Sequence, residues 1–436
     1  MENVEETTRR TKPLVSILRS GIGHALGANV LNKAVGMISS MIITRVMTTT
    51  DYGILGYALN IFSYLTLVSG LGLLSGNIQF GTENKGGGRA YAYYKYCLLV
   101  GLIIDIFLVS ISIGVISVLE LPLKDSKRFV LLYIPLLLFE YVIAIVQGIL
   151  RSKNKIKEYA RYLNLNSLSV AVGTCVGAFW GVLGVIVGRY LASVITVAFS
   201  WLFLHDSTAQ IIGAERLLGN EKKVLWKFSL VIGACSALNL LVYSLDITLI
   251  ANMIRSTEEV GLYKAGTIIP SALAFVPNSV ITAVLPNIIY HKNDMGWIRN
   301  RLNKIYVYLM GFNLILSATL ILSAPLVMTL FAGKKYAKSA PVLRLLVAGY
   351  FFSGTFRGLS VNLLSAFRRV RYSLFISVST CVADIVLNHY LIGKMGMIGA
   401  AYATLVVDIL SAFLSFCYVF VLLKKGTINE FLKKDY

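Results

Sequence analysis

The sequence predicts an all-α integral membrane protein of about twelve transmembrane helices in two six-helix lobes. Long apolar stretches with almost no charge fill the chain, and Lys and Arg lie in the short gaps between them. The stretch NLILSATLILSAPLVMTLFAG at 313–333 can cross the roughly 30 Å hydrocarbon core as a helix, which pairs every backbone polar group internally. A weak internal repeat predicts the two lobes.

The predicted spans alternate with short hydrophilic gaps along the whole chain. They are 21–46, 53–76, 96–119, 129–150, 160–180, 182–204, 226–253, 262–289, 305–331, 341–365, 372–393 and 397–423. The predicted parts are a tail at 1–20, an N-lobe at 21–204, a linker at 205–224, a C-lobe at 225–423 and a tail at 424–436.

The distribution of Lys and Arg predicts that both termini and the inter-lobe linker lie in the cytoplasm. Basic residues concentrate in alternate gaps, most clearly in RSKNKIKEYAR at 151–161. Positive gaps remain on the cytoplasmic side of membrane proteins, so this asymmetry sets the orientation. No cleavable signal follows the polar residues 1–20, and the first span is the expected insertion signal.

Composition excludes several functions. Charged residues make up 14% of the chain and hydrophobic residues 56%, whereas about a quarter of the residues in soluble domains are charged. The longest gap, 205–224, leaves no room for a soluble catalytic domain. The net charge of +20 is dispersed through loops, so we expect no nucleic-acid partner. Phosphate-binding GxxxxGK[ST] and paired-Cys or HExxH metal motifs are absent, so we expect no ATP, cofactor, metal site or enzymatic activity.

Small residues inside the spans are interpreted as packing residues. The sequences GIGHALG at 21–27 and GLGLLSG at 70–76 place Gly pairs within apolar segments, where small residues let helices approach closely. The five cysteines also lie in apolar segments without paired spacing, which argues against disulfides and thiolate metal sites.

An internal repeat relates the two halves of the chain. TTTDYGILGYAL at 48–59 matches STEEVGLYKAGT at 256–267, and each lies between the first and second spans of its half. Two further weak pairs follow in the same order at a nearly constant offset, the first beginning at 150 and 363 and the second at 181 and 396. Parallel repeats of this kind predict a transporter with a central cavity between the lobes.

Four segments in this order resemble one family. They are TRVMTTTDYGILGYALN (44–60), STEEVGLYKAG (256–266), GKKYAKSAPVLRLLVAG (333–349) and LNHYLIGKMGMIGAAYAT (387–404). The chain is similar to the polysaccharide transporter and lipid-linked oligosaccharide (O-antigen type) flippase branch of the multidrug/oligosaccharidyl-lipid/polysaccharide exporter superfamily.

The resemblance implies alternating access that carries an undecaprenyl-diphosphate-linked oligosaccharide across the plasma (inner) membrane for surface polysaccharide synthesis. Expected partners are this lipid-linked glycan, membrane lipids, and protons or sodium ions, with a polysaccharide polymerase as a candidate partner. An ion-coupled multidrug exporter of the same superfamily is the alternative, and it would need an acidic or aromatic cavity for organic cations. A basic residue in the first span, Lys33, favours the flippase.

Polar residues recur at helical spacing on three spans, and each set should face protein or a water-filled path because lipid offers no hydrogen-bonding partners. The sets are Asn29, Lys33, Gly36 and Ser40 on the first span, Ser236, Asn239, Tyr243 and Asp246 on the seventh, and Lys264, Thr267, Ser271, Asn278 and Thr282 on the eighth. From them, with Arg357, we predict a substrate-binding set of Lys33, Asn29, Arg357, Lys264, Asn239 and Tyr243.

A charge at mid-bilayer costs about 2.5 to 3.5 kcal/mol on the insertion scale, so each intramembrane charge requires an explanation. Lys33 and Arg357 can contact phosphate groups. The alternatives are a buried ion pair for Lys33 and snorkelling toward the interface for Arg357. Arg189 is predicted to be a structural pairing residue. For Glu140, a neutral, hydrogen-bonded carboxyl is as good an interpretation as any functional role.

Asp246 is the predicted ion-coupling residue, because a buried carboxyl in this position could take up and release a proton during the cycle. The alternative is an ion pair with Lys33 or Lys264. The other acidic residues, Asp105, Asp384 and Asp408, are predicted to be interior partners of the basic residues.

Overall fold

A computed structural model describes residues 21–84, 87–290, 294–366 and 370–425. These residues are helical almost throughout and contain no strand, which confirms the predicted all-α class. Their contacts divide the chain into two compact units. Unit 1 comprises Met1–Met47 and Tyr57–Leu241, and unit 2 comprises Thr48–Gly56 and Val242–Tyr436.

Among the described residues, nine α-helices begin before residue 242. They are α1 (Gly21–Val46), α2 (Thr49–Val68), α3 (Leu73–Glu83), α4 (Gly88–Val118), α5 (Lys127–Tyr133), α6 (Leu136–Ser152), α7 (Ile156–Gly177), α8 (Gly181–Ile212) and α9 (Gly219–Ile254). The first residues of α2 belong to unit 2, whereas the sequence predicted that they belong to the N-lobe. Of α9, only the residues from 242 onward belong to unit 2, whereas the predicted C-lobe begins at residue 225.

The remaining helices lie entirely in unit 2. They are α10 (Thr257–Leu273), α11 (Phe275–Tyr290), α12 (Met295–Leu322), α13 (Ala324–Ala332), α14 (Ala340–Phe352), α15 (Gly358–Ala366), α16 (Val370–Met395) and α17 (Met397–Lys425). A π-helical turn, Ser353–Arg357, joins α14 to α15. Such turns widen a helix locally and are frequent at functional sites.

Each of the twelve predicted spans is a helix or a helix with a short break. By length and apolar composition, seven helical stretches among the described residues can cross a membrane, or eight if the bent pair Lys124–Tyr133 and Leu136–Ser152 counts as one span. One of the seven, Ile156–Ile212, is 57 residues long and contains two predicted spans, α7 and α8. This count covers only the described residues.

The second predicted span is broken at the Gly-rich sequence that was interpreted as a packing segment. A 3-10 turn, Ser69–Gly72, separates α2 from α3, and φ is positive at Gly70 (56°), Leu71 (45°) and Gly72 (80°). Glycine adopts this left-handed conformation at little cost. Gly72 also packs closely, since an added Cβ would lie 2.0 Å from the carbonyl oxygen of Ser229. The segment is therefore both a packing site and a helix break.

The two segments of the first repeat pair contact each other within unit 2, through Gly53 and Gly261. A Cβ added to Gly53 would lie 1.7 Å from the carbonyl oxygen of Thr257, and a Cβ added to Gly261 would lie 2.3 Å from that of Thr49. Gly53 and Gly261 occupy equivalent positions in the repeat, and each faces the carbonyl group of the residue four positions before the other. This reciprocal contact gives a structural role to the two glycines that the repeat shares.

Large apolar side chains cover the outer face of several helices. On α4, Ile103 and Phe107 are 65% and 67% exposed, whereas Asp105 between them is fully buried. Such exposure is expected of helices whose outer face contacts lipid. Inside each unit, tyrosines and aliphatic side chains pack together, as Tyr94, Tyr141 and Leu73 do in unit 1 and Tyr306, Leu302 and Leu363 do in unit 2.

Candidate functional site

Unit 2 contains a buried network of carboxylates and neutral polar side chains. Its carboxylates are Asp246 on α9 and Asp384 on α16, and Asp408 on α17 lies beside them. Asn388 lies one helical turn after Asp384, and Thr404 lies one turn before Asp408, so each pair shares a helix face. α9 and the consecutive helices α16 and α17 therefore bring oxygen atoms together inside the unit.

Asp246 accepts hydrogen bonds from three side chains. Tyr263 on α10 and Thr404 donate to Oδ2, the latter at 2.9 Å, and the Asn388 amide donates to Oδ1 at 2.9 Å. All three donors are neutral. No Lys or Arg lies within ion-pair distance of Asp246 in the part of the chain that the structure describes, in contrast to the alternative of a pair with Lys33 or Lys264.

The same Asn388 amide nitrogen also donates to Asp384 Oδ1 at 3.0 Å, so one neutral group bridges two carboxylates. Close carboxylates repel one another when both are ionised. Two oxygens in this network, Asp384 Oδ2 and Asn388 Oδ1, are buried and have no hydrogen-bond partner among the described residues. A buried acceptor without a donor is costly. The basic partner expected for Asp384 is thus replaced by a neutral amide, and the network lacks positive charge.

This arrangement suits a small hard cation or a proton. Hard cations prefer carboxylate, carbonyl and hydroxyl oxygens, and Asp246, Asp384, Asn388 and Thr404 supply these types. No group of three or more His, Cys, Asp or Glu side chains among the described residues is placed to hold a metal ion of any kind, so a cation here would also need the Asn388 and Thr404 oxygens.

Asp408 lies beside the network but has a basic neighbour. Its Oδ1 is 3.7 Å from Nη1 of Arg357, at the end of the π-helical turn. Gly349 on α14 makes room for this carboxylate, since a Cβ there would lie 2.8 Å from Asp408 Oδ2. The guanidinium, predicted to contact substrate, is thus partly engaged by an aspartate.

Two residues of the predicted substrate-binding set, Asn29 and Lys33, are exposed on α1. No acidic side chain among the described residues lies within ion-pair distance of Lys33, so the alternative of a buried ion pair finds no partner there. Ser40, farther along the predicted stripe, is half-buried and donates to the Gly36 carbonyl oxygen at 2.9 Å. The Lys33 amine is therefore available to a ligand.

The other predicted substrate-binding residues are less informative. Lys264 on α10 is half-buried in unit 2, and its aliphatic part packs against Gly56, where an added Cβ would lie 3.3 Å from Lys264 Cγ. Asn239 and Tyr243 lie on α9, but their side chains, like that of Thr282, fall outside the described residues.

Arg189 and Glu140 form an ion pair inside unit 1, with Nη2 2.5 Å from Oε1. Both side chains are about a quarter exposed. The pair gives Arg189 an acidic neighbour and gives Glu140 a charged partner instead of a neutral environment.

Asp105 differs from its predicted role. Its carboxylate accepts a hydrogen bond from the Ser69 hydroxyl at 2.6 Å and another from the Gly70 backbone N–H at 2.8 Å. These donors belong to the break between α2 and α3, and no basic side chain of the described chain lies within ion-pair distance. The physical reason is that a broken helix leaves backbone N–H groups without intrahelical partners.

An apolar groove of about 750 Å³ lies between α7 and α8 in unit 1. Its floor is backbone, because Gly173 faces Gly188 and Gly177 faces Gly184 with no room for a Cβ. Ser169 supplies its one polar side chain. The groove has none of the charged groups that a phosphate headgroup requires.

Sequence reasoning missed Tyr263, Asn388 and Thr404. A signal was available for two of them, since Asn388 and Thr404 stand four residues from a predicted intramembrane aspartate. Tyr263 gave no comparable signal, because its contact with Asp246 depends on how α10 lies against α9.

Comparison with known proteins gives a family and a fold. The family model described as polysaccharide biosynthesis protein matches residues 18–291. No curated protein sequence matches significantly. The lipid II flippase MurJ in an inward closed conformation is similar in structure, with a TM-score of 0.74 and 15% identity over 93% of this chain and 90% of that one.

Other transporters share the fold as well, one of them a multidrug transporter. An outward-facing MATE family transporter of the MOP superfamily has a TM-score of 0.64 and 16% identity over 95% of this chain and 96% of that one. A MOP superfamily transporter from Pyrococcus furiosus has a TM-score of 0.62 and 17% identity over 94% and 96%. At such identities these likenesses establish the fold and leave the substrate open.

Proposed function

The chain belongs to the polysaccharide biosynthesis protein family and has a MOP-superfamily transporter fold, and from this we propose that it is a flippase for lipid-linked oligosaccharides. It moves an undecaprenyl-diphosphate-linked oligosaccharide from the cytoplasmic to the outer leaflet of the plasma membrane by alternating access, with both termini in the cytoplasm. Family membership carries this proposal, because the fold alone is common to flippases and drug exporters.

Lys33 supports a phosphate-bearing substrate. Its side chain is exposed on α1 and has no acidic partner among the described residues. An unpaired charge in a membrane helix is expensive, and a functional contact offsets that cost. In the proposal Lys33 and Asn29 contact the diphosphate or the first sugar. Arg357, Lys264, Asn239 and Tyr243 remain further proposed contacts.

The buried network supports coupling to a cation. A sodium ion or a proton that enters between Asp246 and Asp384 relieves the repulsion of the carboxylates and gives Asp384 Oδ2 and Asn388 Oδ1 a partner. Because its ligands come from α9, α16 and α17, the cation would draw three helices together. Its release would favour a different arrangement of those helices, which is how a gradient can bias a transport cycle.

Translocation in purified vesicles tests the proposal. Undecaprenyl-diphosphate-linked oligosaccharide is placed in one leaflet, and its arrival in the other is measured with a membrane-impermeant glycosidase. The native chain should give flux that increases when a sodium or proton gradient is imposed. Vesicles without protein give the background, and equal rates with and without the protein would refute the flippase.

Substitutions at Lys33 test the headgroup contact. A desolvated charged hydrogen bond contributes about 1.5 to 3 kcal/mol, so Lys33→Ala should lower apparent substrate affinity by roughly 10- to 100-fold. Lys33→Arg should retain part of the activity, and Lys124→Ala, on an exposed turn, is the matched control. Membrane abundance is measured in parallel. Native flux and abundance in Lys33→Ala would exclude the contact.

The alternative is an ion-coupled multidrug exporter, which the structural likeness to MATE transporters favours. An acidic network in unit 2 could bind an organic cation in place of a metal ion. Gradient-driven efflux of a fluorescent organic cation from the same vesicles, without translocation of the lipid-linked oligosaccharide, would decide for this alternative.

A further inference from the structure

A cluster of lysines lies on one short turn of unit 2. The 3-10 segment Lys334–Ser339, called here the lysine turn, follows α13 and precedes α14. Lys334, Lys335 and Lys338 are all exposed. No acidic side chain within the described residues lies within ion-pair distance of Lys334 or Lys338. The turn therefore presents concentrated positive charge.

The backbone of the lysine turn is fixed by buried side chains. Tyr336 is fully buried and packs edge-to-face against Tyr52, with ring centroids 6.0 Å apart. The Ser339 hydroxyl, also buried, donates to the Leu262 carbonyl oxygen at 2.7 Å. Gly333 enters the turn with φ of 99°, which favours glycine. The lysines thus project from a rigid platform.

Unit 1 contains a turn of the same construction with a different charge. This turn is the 3-10 segment Lys124–Ser126, and its Ser126 and Leu123, three residues before Ser126, are both buried. The lysine turn buries the equivalent pair, Ser339 and Tyr336. The exposed charges around it are mixed, with Glu120 and Asp125 beside Lys124 and Arg128. Since both turns keep the buried pair, the fold does not require the all-lysine surface.

The helices that lead to the lysine turn present exposed leucines. Leu322, at the end of α12, is 81% exposed, and Leu326 and Leu330 on α13 are 61% and 58% exposed. The leucines are spaced by four residues, and Lys334 follows at the same spacing. An apolar surface that ends in lysines matches the change from acyl chains to headgroups at a bilayer surface.

We propose that the lysine turn binds the anionic headgroup of a membrane phospholipid, with the exposed leucines of α12 and α13 against its acyl chains. The charge complementarity is specific to this turn, because its counterpart in unit 1 would present carboxylates to the same phosphate. The bound lipid would be a glycerophospholipid with a net negative headgroup, such as phosphatidylglycerol. This site is independent of the proposed transport substrate.

Lipid selectivity of the purified full chain tests the site. The protein is reconstituted in phosphatidylcholine vesicles with a minor fraction of spin-labelled phosphatidylglycerol, and the motionally restricted fraction of the label gives the preference for the anionic lipid. The native chain should show this preference, and rising salt should weaken it. Lys334→Gln with Lys338→Gln should reduce it by up to about fivefold per lysine. Lys334→Arg with Lys338→Arg should retain it.

Lys124→Gln with Arg128→Gln removes the same charge from the turn of unit 1 and is the matched control. An equal loss of preference in this control would overturn the proposal, since net charge alone would then explain it. An unchanged preference in the Lys334→Gln, Lys338→Gln variant would also overturn it. If that variant instead keeps the preference but needs more lipid-linked oligosaccharide for half-maximal flux, the turn binds substrate and the phospholipid proposal fails.

Discussion

Asp105 in unit 1 and Asp246 in unit 2 are both buried carboxylates without a basic partner among the described residues. Asp105 accepts from the backbone of a broken helix and from the neighbouring Ser69 hydroxyl. Asp246 accepts from side chains of three other helices, next to acceptors that have no donor. The first carboxylate completes a local fold, and the second belongs to a network that lacks a positive charge.

The surroundings of the two carboxylates differ in the same way. Near Asp105, Tyr141 packs between Gly70 and Gly101 and donates to the Cys97 carbonyl oxygen at 2.7 Å. Neither carboxylate oxygen of Asp105 is among the buried oxygens without a hydrogen-bond partner in the described part of the chain. Burial of an acidic residue in a membrane helix therefore does not by itself indicate transport. The decisive feature is whether the neighbouring polar atoms are already satisfied.

The largest expected effect comes from neutralising each carboxylate in turn. Asp246→Asn should lower gradient-driven flux per folded molecule by about 10- to 100-fold, the equivalent of a charged contact, because it removes the carboxyl that would take up the coupling cation. Asp105→Asn should instead lower abundance and thermal stability by about 1 to 3 kcal/mol, because an amide group cannot accept both bonds. Flux in vesicles and thermal denaturation are measured on both variants.

The comparison fails if the two variants exchange behaviour. Gradient-dependent flux at the native level in Asp246→Asn would remove this residue from coupling. A stable Asp105→Asn protein with lost coupling would place the cation site in unit 1. Flux per folded molecule separates a transport defect from a loss of protein.

A second prediction concerns the packing that closes the Asp105 site. A Cβ added to Gly101 would lie 1.7 Å from the Tyr141 hydroxyl, and Tyr141 is buried and cannot move freely. Gly101→Ala should therefore destabilise unit 1 by about 1 to 3 kcal/mol through overpacking. Gly114→Ala on the same helix α4 meets nothing within 4 Å and is the matched control. Thermal denaturation in detergent should separate them, and equal midpoints would show that the site can relax.

Sequence alone predicted the helical class and the positions of the helices, because apolar length and helical spacing are local properties. It did not predict the donors to Asp246, which come from α10, α16 and α17 and meet only through packing. It also assigned Asp105 to an ion pair. That error arose at GLGLLSG, where the glycines were assigned to helix packing alone, although two of them also break the helix.

Glu221, in the first turn of α9, is a partly accessible carboxylate that can be compared with the two buried ones. Its carboxylate pairs with Arg89, whose Nε donates to Oε1 at 2.7 Å, and it also accepts from the Leu218 backbone N–H at 2.8 Å. The hydrogen bond from Arg89 lowers the pKa of Glu221 from its ordinary value of 4.5. A lowered pKa in the folded state means that the stabilisation is present above the unfolded pKa and is lost as pH falls through the folded pKa.

Glu221→Gln should give the smallest effect of the three, because the Arg89–Glu221 pair is partly accessible and solvent screens such ion pairs. The melting temperature of the variant should lie slightly below that of the native chain at neutral pH and should converge with it at a pH below the pKa of folded Glu221. Glu215, 3.5 Å from Arg89 but 89% exposed, provides the control. Glu215→Gln should match the native chain throughout the titration. If the difference in melting temperature between Glu221→Gln and the native chain persists at low pH, lost packing and not lost charge explains it. Charge would then not distinguish the surface carboxylate from the buried ones.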